Sequence, residues 1–230
     1  MPEVSIIIPI YNEEKLLESS VSELTEALEK EKIDYELILS ENGSTDQTRE
    51  IASALAEDNK RIKVITTDEP NYGRALKKGI LAAGGERIVC FELDYWDIRF
   101  LKEALSLLSS YDVIVGSKRA PGARDERPFI RRAITAGFNL FLRILLGFKG
   151  SDTHGIKAFN KSKILPIVSL CQTEKDIFAS ELIIRAERAG LPKKEIPTVV
   201  VEKRGSRVGV LRRVPSAIRN IFRLFFALRR

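Results

Sequence analysis

Between Arg87 and Asp97 the chain reads RIVCFELDYWD, an apolar run that stops in a cluster of acids. Ile88, Val89, Cys90 and Phe91 have the composition of a buried strand, and Glu92, Asp94 and Asp97 then crowd its carboxyl end. Three carboxylates so close together repel one another unless a positive charge sits among them. A divalent cation answers that need, since hard metals take oxygen ligands and leave positions open for substrate phosphates. A strand running into a solvated acidic loop would show the same residues, so the decision rests on the rest of the chain.

The elements that would position these acids follow from hydrophobic periodicity. Val4 to Ile8 is an apolar run broken only by Ser5 and ended by Pro9, the pattern of a central strand covered on both faces. A polar turn, Tyr11-Asn12-Glu13-Glu14, comes next, and Leu17, Val21, Leu24 and Leu28 then recur at helical spacing. Tyr35 to Leu39 reads as a second strand running into SENGSTDQT, where Asn42-Gly43 supplies a turn and Ser44 or Asp46 can cap a helix starting near Gln47. Arg61 to Thr66 is a third strand, Asn71-Tyr72-Gly73 opens a helix from Arg74 to about Ala83, and Gly84-Gly85 closes it. After the acidic cluster the pattern predicts a helix over Ile98 to Leu108 and a strand over Asp112 to Val115 ending in GSKR. Strands alternating with helices predict an α/β fold with a mainly parallel, doubly wound sheet. Ligands bind such sheets beyond the carboxyl ends of the strands, where Glu13, the 41–46 segment, Glu92 to Asp97 and Ser117 to Arg119 would converge.

Beyond residue 119 the signals are more local. Ala120 to Pro128, rich in Pro, Gly and charge, reads as a mobile loop, and Phe129 to Leu146 as a helix with Arg131, Arg132 and Arg143 among apolar residues. A polar break leads into SDTHGIKAF; Ile177 to Ala189 reads as an amphipathic helix with Glu181 near its start, and Glu195 to Val201 as a last strand. At the C-terminus Ala217, Ile218, Ile221, Phe222, Leu224, Phe225 and Leu228 fall on one helical face and Arg219, Arg223 and Arg230 on the other. Such a helix resembles an in-plane membrane anchor, the alternative being an ordinary helix packed on the domain or in a dimer interface.

Composition bounds these readings. At 230 residues, 44% hydrophobic and 30% charged, the chain can bury a sizeable core in one domain. Its 38 Lys and Arg against 32 Asp and Glu give a net charge of +6. No stacking aromatics interleave with the arginines and no nucleic-acid-binding signature is present, so no nucleic-acid partner is expected. Cys90 and Cys171 lie among apolar residues without a CxxC partner and read as core thiols in a reducing compartment. MPEVSIIIPIYNEE has neither a basic n-region nor a long h-region, so no secretory signal is expected. No window reaches the roughly 18 uninterrupted apolar residues of a spanning helix.

Taken in order, these segments resemble a known family. SIIIPIYNEE is similar to the first-strand motif of family 2 glycosyltransferases of the GT-A (Rossmann-like) fold, and SENGSTDQT to their second, usually DDGSTDGT. NYGRALKKGILAAGGERIVCFELD looks like the helix leading to the DxD strand, VIVGSKR like the segment after it, and SDTHGIKAF like the later D-x-x-S-G-F-[RK] motif. Within the family the likeness is to dolichyl- and polyprenyl-phosphate sugar transferases such as dolichyl-phosphate mannosyltransferase. The resemblance implies a catalytic domain over residues 1–205 and a basic amphipathic tail over 206–230.

It also implies roles. Pro9, Tyr11, Asn12 and Glu13 would lie against the nucleotide, with Glu41, Asn42, Ser44, Asn71, Gly73 and Lys118 completing the nucleotide-sugar site. Asn42 stands where the family has the acid that meets the base; an amide offers both donor and acceptor, so the base, GDP- or UDP-, stays open. Glu92 and Asp94 occupy the DxD positions expected to hold Mg2+ or Mn2+. Trp96 replaces a Gln that commonly follows as a further ligand, leaving that place to Asp97 or to water.

The expected activity is an inverting transfer of a hexose, mannose or glucose, to a polyprenyl or dolichyl phosphate, at the cytoplasmic face of a membrane met through the C-terminal helix. A lipid phosphate is already anionic, so the attack needs no strong base. Asp94, Asp97 and Arg131 are the catalytic candidates, and Arg119, Arg132, His154, Arg204 and Ser206, with Lys118, the groups expected toward the acceptor. Transfer to a saccharide or protein hydroxyl is the alternative, with Asp97 or Glu181 as base; a nucleotide-binding relative without turnover is another.

Overall fold

The computed structural model describes residues 1–174, 177–200 and 214–228. Its main sheet has seven strands in the order β3-β2-β1-β4-β7-β5-β8. These are β1 (Val4–Ile10), β2 (Tyr35–Asn42), β3 (Ile62–Thr67), β4 (Arg87–Cys90), β5 (Val113–Ser117), β7 (Lys157–Asn160) and β8 (Lys193–Pro197). All neighbours pair in parallel except β7, which lies antiparallel between β4 and β5.

The continuous apolar runs have a simple cause, since both faces of the sheet are covered. Ile6 and Ile8 of β1 face one core with α1 (Leu17–Lys30), α2 (Thr48–Asp58) and α4 (Ile98–Leu107). Ile7, one residue out of phase, faces the other core with α3 (Tyr72–Ala82), α6 (Lys161–Leu170) and α7 (Phe178–Arg188). Cys90 and Cys171 are free and buried, and burial pushes both thiols up to about 12. Gly84 and Gly85, expected to close α3, turn their amides onto the buried Glu36 carboxylate, at 2.5 and 3.3 Å.

Two departures from the sequence reading concern the second half. Ala120 to Pro128 is not all loop: Arg124–Asp125 (β6) pairs with Val199–Val200 (β9) in a second, two-stranded sheet. That pairing uses backbone groups, such as Arg124 N–H donating to Thr198 O at 3.1 Å, which side-chain pattern does not announce. The expected strand at 195–201 accordingly divides into β8 and β9, with Val201 outside the described residues.

The C-terminal helix, α8 (Val214–Ala227), packs on the domain beside α5 (Phe129–Leu146). Leu224 is fully buried in the same core as Leu142 and Leu146 of α5. Arg185 and Arg188 donate to the Ala227 and Leu228 carbonyls at 2.7 and 3.0 Å, satisfying the end of α8 with cations where its dipole favours them. Its two faces are sorted differently from the wheel reading. Leu224 and Ala227 turn inward, whereas Phe222 and Phe226 are exposed together with Arg219 and Arg223. The physical reason is that the domain takes only part of the apolar face, and the two phenylalanines lie beyond it.

Candidate active site

Residues 11–14 follow β1 and residues 43–47 follow β2, so neighbouring strands deliver two loops to one end of the sheet. The loops are clasped. Asn12, with φ of 52°, presents Oδ1 to the Thr45 amide at 2.8 Å while its own amide donates to Ser44 Oγ at 3.0 Å. That left-handed backbone is one an asparagine tolerates better than most residues. Glu13 N–H donates to Thr48 Oγ1 at 2.7 Å and Glu14 N–H to Asp46 Oδ2 at 3.3 Å. Asp46 also accepts from the Thr48 amide at 3.0 Å, from one residue before the α2 N-cap Gln47, which makes no side-chain capping bond of its own. Burial works against its charge, and the hydrogen bonds from Thr48 and Glu14 outweigh it, holding its carboxyl below the usual range.

Beneath the loops lie Glu41 and Asn42, both buried. Glu41 accepts from the Ser44 amide at 2.5 Å and from Arg49 at 3.0 and 3.1 Å. Asn42 Oδ1 accepts from the Asn71 amide at 2.5 Å and from Thr67 Oγ1 at 3.4 Å, which ties the β2 end to the start of α3. Asn71 caps α3 by accepting from Arg74 N–H at 3.1 Å, and its amide nitrogen donates to Glu174 at 2.8 Å.

The acidic stretch is a tight turn. Glu92 and Tyr95 exchange backbone hydrogen bonds at 3.2 and 3.1 Å, which sets Asp94 inside the reversal. The Tyr72 hydroxyl, from the first turn of α3, donates to Glu92 Oε1 at 2.5 Å. Burial pushes the Glu92 carboxyl above the usual range; Tyr72 and the charge of Lys157 oppose this, and the charge of Asp94 adds to it. Among the described residues no group of three or more His, Cys, Asp or Glu gathers as a metal cage. A pair of carboxylates on one turn fits a hard divalent ion whose remaining positions are filled by phosphate oxygens and water, because Mg2+-like ions keep several non-protein ligands.

Trp96 and Asp97 are structural in this arrangement. Trp96 Nε1 donates to Ser20 Oγ at 3.3 Å, and Ser20 Oγ donates to Leu93 O at 2.5 Å, so the indole secures the turn to α1. Asp97 caps α4, its Oδ1 accepting from Arg99 and Phe100 amides at 2.8 and 3.3 Å. Glu181 is fully buried and accepts from Gln172 and Thr173 amides, Thr173 Oγ1 and Arg185 Nε. It holds the 172–173 backbone, as the first-turn acid of α7.

Because β7 runs against its neighbours, the loop before it, residues 151–156, enters at the same end of the sheet as the carboxyl ends of β4 and β5. Buried Asp152 meets Lys118 Nζ at 2.9 Å and accepts from the His154 amide at 3.0 Å. Burial opposes the Asp152 charge, and Lys118 with the His154 amide overcomes it, holding the carboxyl below its usual range. Lys157, first residue of β7, is buried and donates to Gly155 O. Burial pulls its ammonium below the ordinary value, while the charges of Glu92 and Asp152 oppose that fall. The charges therefore alternate from Glu92 through Lys157 and Asp152 to Lys118.

Tyr72, Asp152 and Lys157 were not among the residues singled out from sequence. The available signal was a charged residue inside the apolar strand IKAF and an acid in the motif preceding it. Ser117 Oγ accepts from the Arg119 amide at 3.1 Å, and the Arg119 side chain is exposed. Arg131 and Arg132 occupy the first turn of α5, the former half-buried and the latter exposed. His154 is exposed, with its ring edge-on to Phe138 at 5.3 Å. Pro9, expected to end the first strand, lies inside β1 opposite Ser40; Tyr11 directly follows β1, and Gly73 lies in the first turn of α3. Arg204 and Ser206 lie outside the described residues.

The chain resembles known proteins in sequence and in fold. The family model described as Glycosyl transferase family 2 matches residues 5–166. Glycosyltransferase AglD of Haloferax volcanii is 30% identical over 233 residues, 98% of this chain, which spans 37% of AglD. Human dolichyl-phosphate beta-glucosyltransferase is 29% identical over 226 residues, 90% of this chain and 69% of the relative. Glucosyl-3-phosphoglycerate synthase from Mycobacterium tuberculosis, solved with Mn2+, UDP and phosphoglyceric acid, superposes with a TM-score of 0.68 at 20% identity, over 98% of this chain and 78% of that one. That likeness shows the GT-A fold, with its mainly parallel sheet.

Proposed function

Because the chain belongs to glycosyl transferase family 2, we propose that it moves a hexose from a nucleotide-diphosphate sugar to a polyprenyl or dolichyl phosphate at the cytoplasmic face of a membrane. The observation that carries the reading is the Glu92–Asp94 turn at the carboxyl end of β4, next in the sheet to β1 and its clasped loop. UDP in the mycobacterial synthase and glucose in the name of the human relative make UDP-glucose the first donor to test, with GDP-mannose second. The clasped loops, Asn42 and the α3 start form the nucleotide floor in this reading.

Mg2+ or Mn2+ held by Glu92 and Asp94 would supply positive charge against the departing diphosphate. The remaining work belongs to orientation and charge. A phosphate oxygen of the acceptor bonds to the anomeric carbon as the bond to the diphosphate breaks, and the electron pair leaves with the diphosphate; attack from the opposite face inverts the centre. No base is required, which accords with the full engagement of Glu181 and the capping role of Asp97. A hydroxyl acceptor would need one of them released. Arg131 and Arg132 stand at the positive end of the α5 dipole, where a cation is disfavoured and an anion attracted, a setting that suits the acceptor phosphate. Lys118, braced by Asp152, would serve the nucleotide-sugar diphosphate in this reading.

The direct test supplies purified protein with UDP-glucose or GDP-mannose, Mn2+ or Mg2+, and a short-chain polyprenyl phosphate, and looks for the lipid-linked sugar by mass spectrometry. Absence of product with every donor, beside a working control enzyme, rejects the reading. Tyr72→Phe is expected to weaken Mn2+ binding in the presence of UDP about tenfold by calorimetry, the scale of one hydrogen bond to a charged group. In a Glu92→Asp background, whose shorter arm no longer reaches the hydroxyl, the same change is expected to do nothing. Equal losses in both backgrounds would show that Tyr72 does not act through Glu92.

A further inference from the structure

The ion pair of Lys118 and Asp152 is bracketed by the residues that precede its two members. Ser117, the last residue of β5, comes before Lys118 and Ser151 before Asp152, and the two hydroxyls meet at 2.6 Å. Glu195 completes the set from β8, the edge strand of the sheet. Its Oε1 accepts from the Ser151 amide at 2.8 Å and its Oε2 from the Ser151 hydroxyl. Glu195 stands opposite Val115 in the parallel register, and Ser117 lies two residues further along β5, so both side chains leave the same face of the sheet.

The direction of these bonds follows from counting hydrogens. A carboxylate only accepts, so the single hydroxyl hydrogen of Ser151 goes to Glu195. Ser117 Oγ takes the Arg119 and Ala120 amides, both at 3.1 Å, on its two lone pairs, which leaves its own hydrogen for Ser151. The chain therefore runs from Ser117 through Ser151 to Glu195, and each bond polarises the next. One carboxylate at the sheet edge orders both hydroxyls.

The loop has no side chain where it crosses this carboxylate. A Cβ at Gly150 would come to 2.7 Å from Glu195 Oε1 and 2.5 Å from the Phe148 ring, so glycine lets the chain lie directly on Glu195. From the other side Asn139 Nδ2 donates to Ser151 O at 2.9 Å and Arg143 to Gly150 O at 3.1 Å. Ser151 is thereby held at its amide, its carbonyl and its hydroxyl. The next residue, Asp152, is fully buried and meets Lys118, whose side chain is only 10% exposed. A turn of the Ser151 peptide would be passed straight to the ammonium.

We infer that Glu195 is a positioning residue of the donor site: acting through Ser151 and Ser117, it fixes the backbone beside Asp152 and Lys118 and so sets where the Lys118 ammonium meets the donor diphosphate. This rests on the nucleotide-sugar reading of Lys118. Glu195→Gln isolates the effect, because it keeps the volume and one acceptor but turns an NH2 donor toward the Ser151 hydroxyl. That hydroxyl must then point to Ser117, whose lone pairs are already taken.

The experiment compares, by calorimetry on the full chain with Mn2+, the binding of UDP with that of UMP and of GDP with that of GMP, beside transfer to a short-chain polyprenyl phosphate. Glu195→Gln is expected to weaken the diphosphate that the wild type binds about tenfold, the scale of one hydrogen bond to a charged group, and its monophosphate less than about twofold. Ser151→Ala keeps the amide bond to Glu195 and cuts only the hydroxyl chain; it should match that loss, and the two changes together should lose no more than either alone. In a Lys118→Met background Glu195→Gln should do nothing further. Equal losses for monophosphate and diphosphate, a loss that persists without the Lys118 ammonium, or wild-type diphosphate affinity in Glu195→Gln overturns the inference. A wild type that binds none of the four nucleotides removes the inference together with the donor site it rests on. The expected binding pattern with no lipid-linked sugar from any donor rejects the transferase reading alone.

Discussion

Asp94→Asn is expected to lower transfer by about a thousandfold, the scale of removing a charged group that acts on the leaving diphosphate, while the melting temperature stays level or rises slightly. The two effects have opposite signs for one reason. In the protein alone, the charge of Asp94 works against Glu92, whose carboxyl burial has already pushed above its usual range. Neutralising Asp94 relieves that repulsion. In the reactive complex the same charge is needed to concentrate a divalent ion where the diphosphate departs. Steady-state turnover and differential scanning fluorimetry on one preparation check both signs, with UDP and Mn2+ added to confirm loss of the metal-dependent stabilisation. Retention of activity within tenfold of wild type would remove Asp94 from the site.

Gly155→Ala should unfold or badly weaken the domain, by about 3 kcal/mol or more, the upper range for overpacking. A Cβ at Gly155 would meet Gly116 O at 1.7 Å, and that atom is backbone, held by its own strand. Gly116 N–H also donates to Ile156 O at 2.7 Å, so the loop and β5 must separate for the methyl to fit. Separation draws Asp152 from Lys118 and Lys157 from its place beside Glu92. The loss is therefore expected in melting temperature and, for whatever folded fraction remains, in turnover. Gly137→Ala provides the contrast. Nothing lies within 4 Å of a Cβ there, and the position is inside α5, so the substitution should stabilise by about 0.5–1 kcal/mol. A Gly155→Ala variant that melts like wild type would mean the loop can shift freely.

Much of the first half was legible because its strands are covered on both faces. Val4–Ile10 and Tyr35–Asn42 are buried at every residue, which leaves the short apolar runs Ile6–Ile8 and Leu37–Leu39 at their centres. The helix Phe129–Leu146 emerged at its observed bounds for the same kind of reason, a long periodic segment closed by Gly147 in the left-handed region. What escaped was short or backbone-driven. Strand β7 has four residues and opens on a lysine, β6 has two, and α6 carries Pro166 in its interior, which blurs the helical signal. At the site, Glu92 and Asp94 were visible as acids terminating a strand. Asp97 was read toward the site, as a further metal ligand or a base, and the distances to the Arg99 and Phe100 amides show instead that its carboxylate caps α4. Tyr72 and Lys157 act across 20 and 65 residues of chain, a link that spacing cannot disclose.

Strand β5 has one further consequence, for synthesis on the ribosome. Its sheet partners are β7 and β8, both later in the chain, and nothing upstream pairs with it. When Val113–Ser117 leaves the exit tunnel its backbone has no template, and β4 offers an open edge on the opposite side of the gap. At about 5–20 residues per second, the wait for residues 157–160 lasts a few seconds, during which β1 to β4 can pair but cannot close. The nascent chain therefore passes through an interval with three strand edges awaiting partners, one of β4 and both of β5, the condition in which a nascent-chain chaperone would have the most to protect.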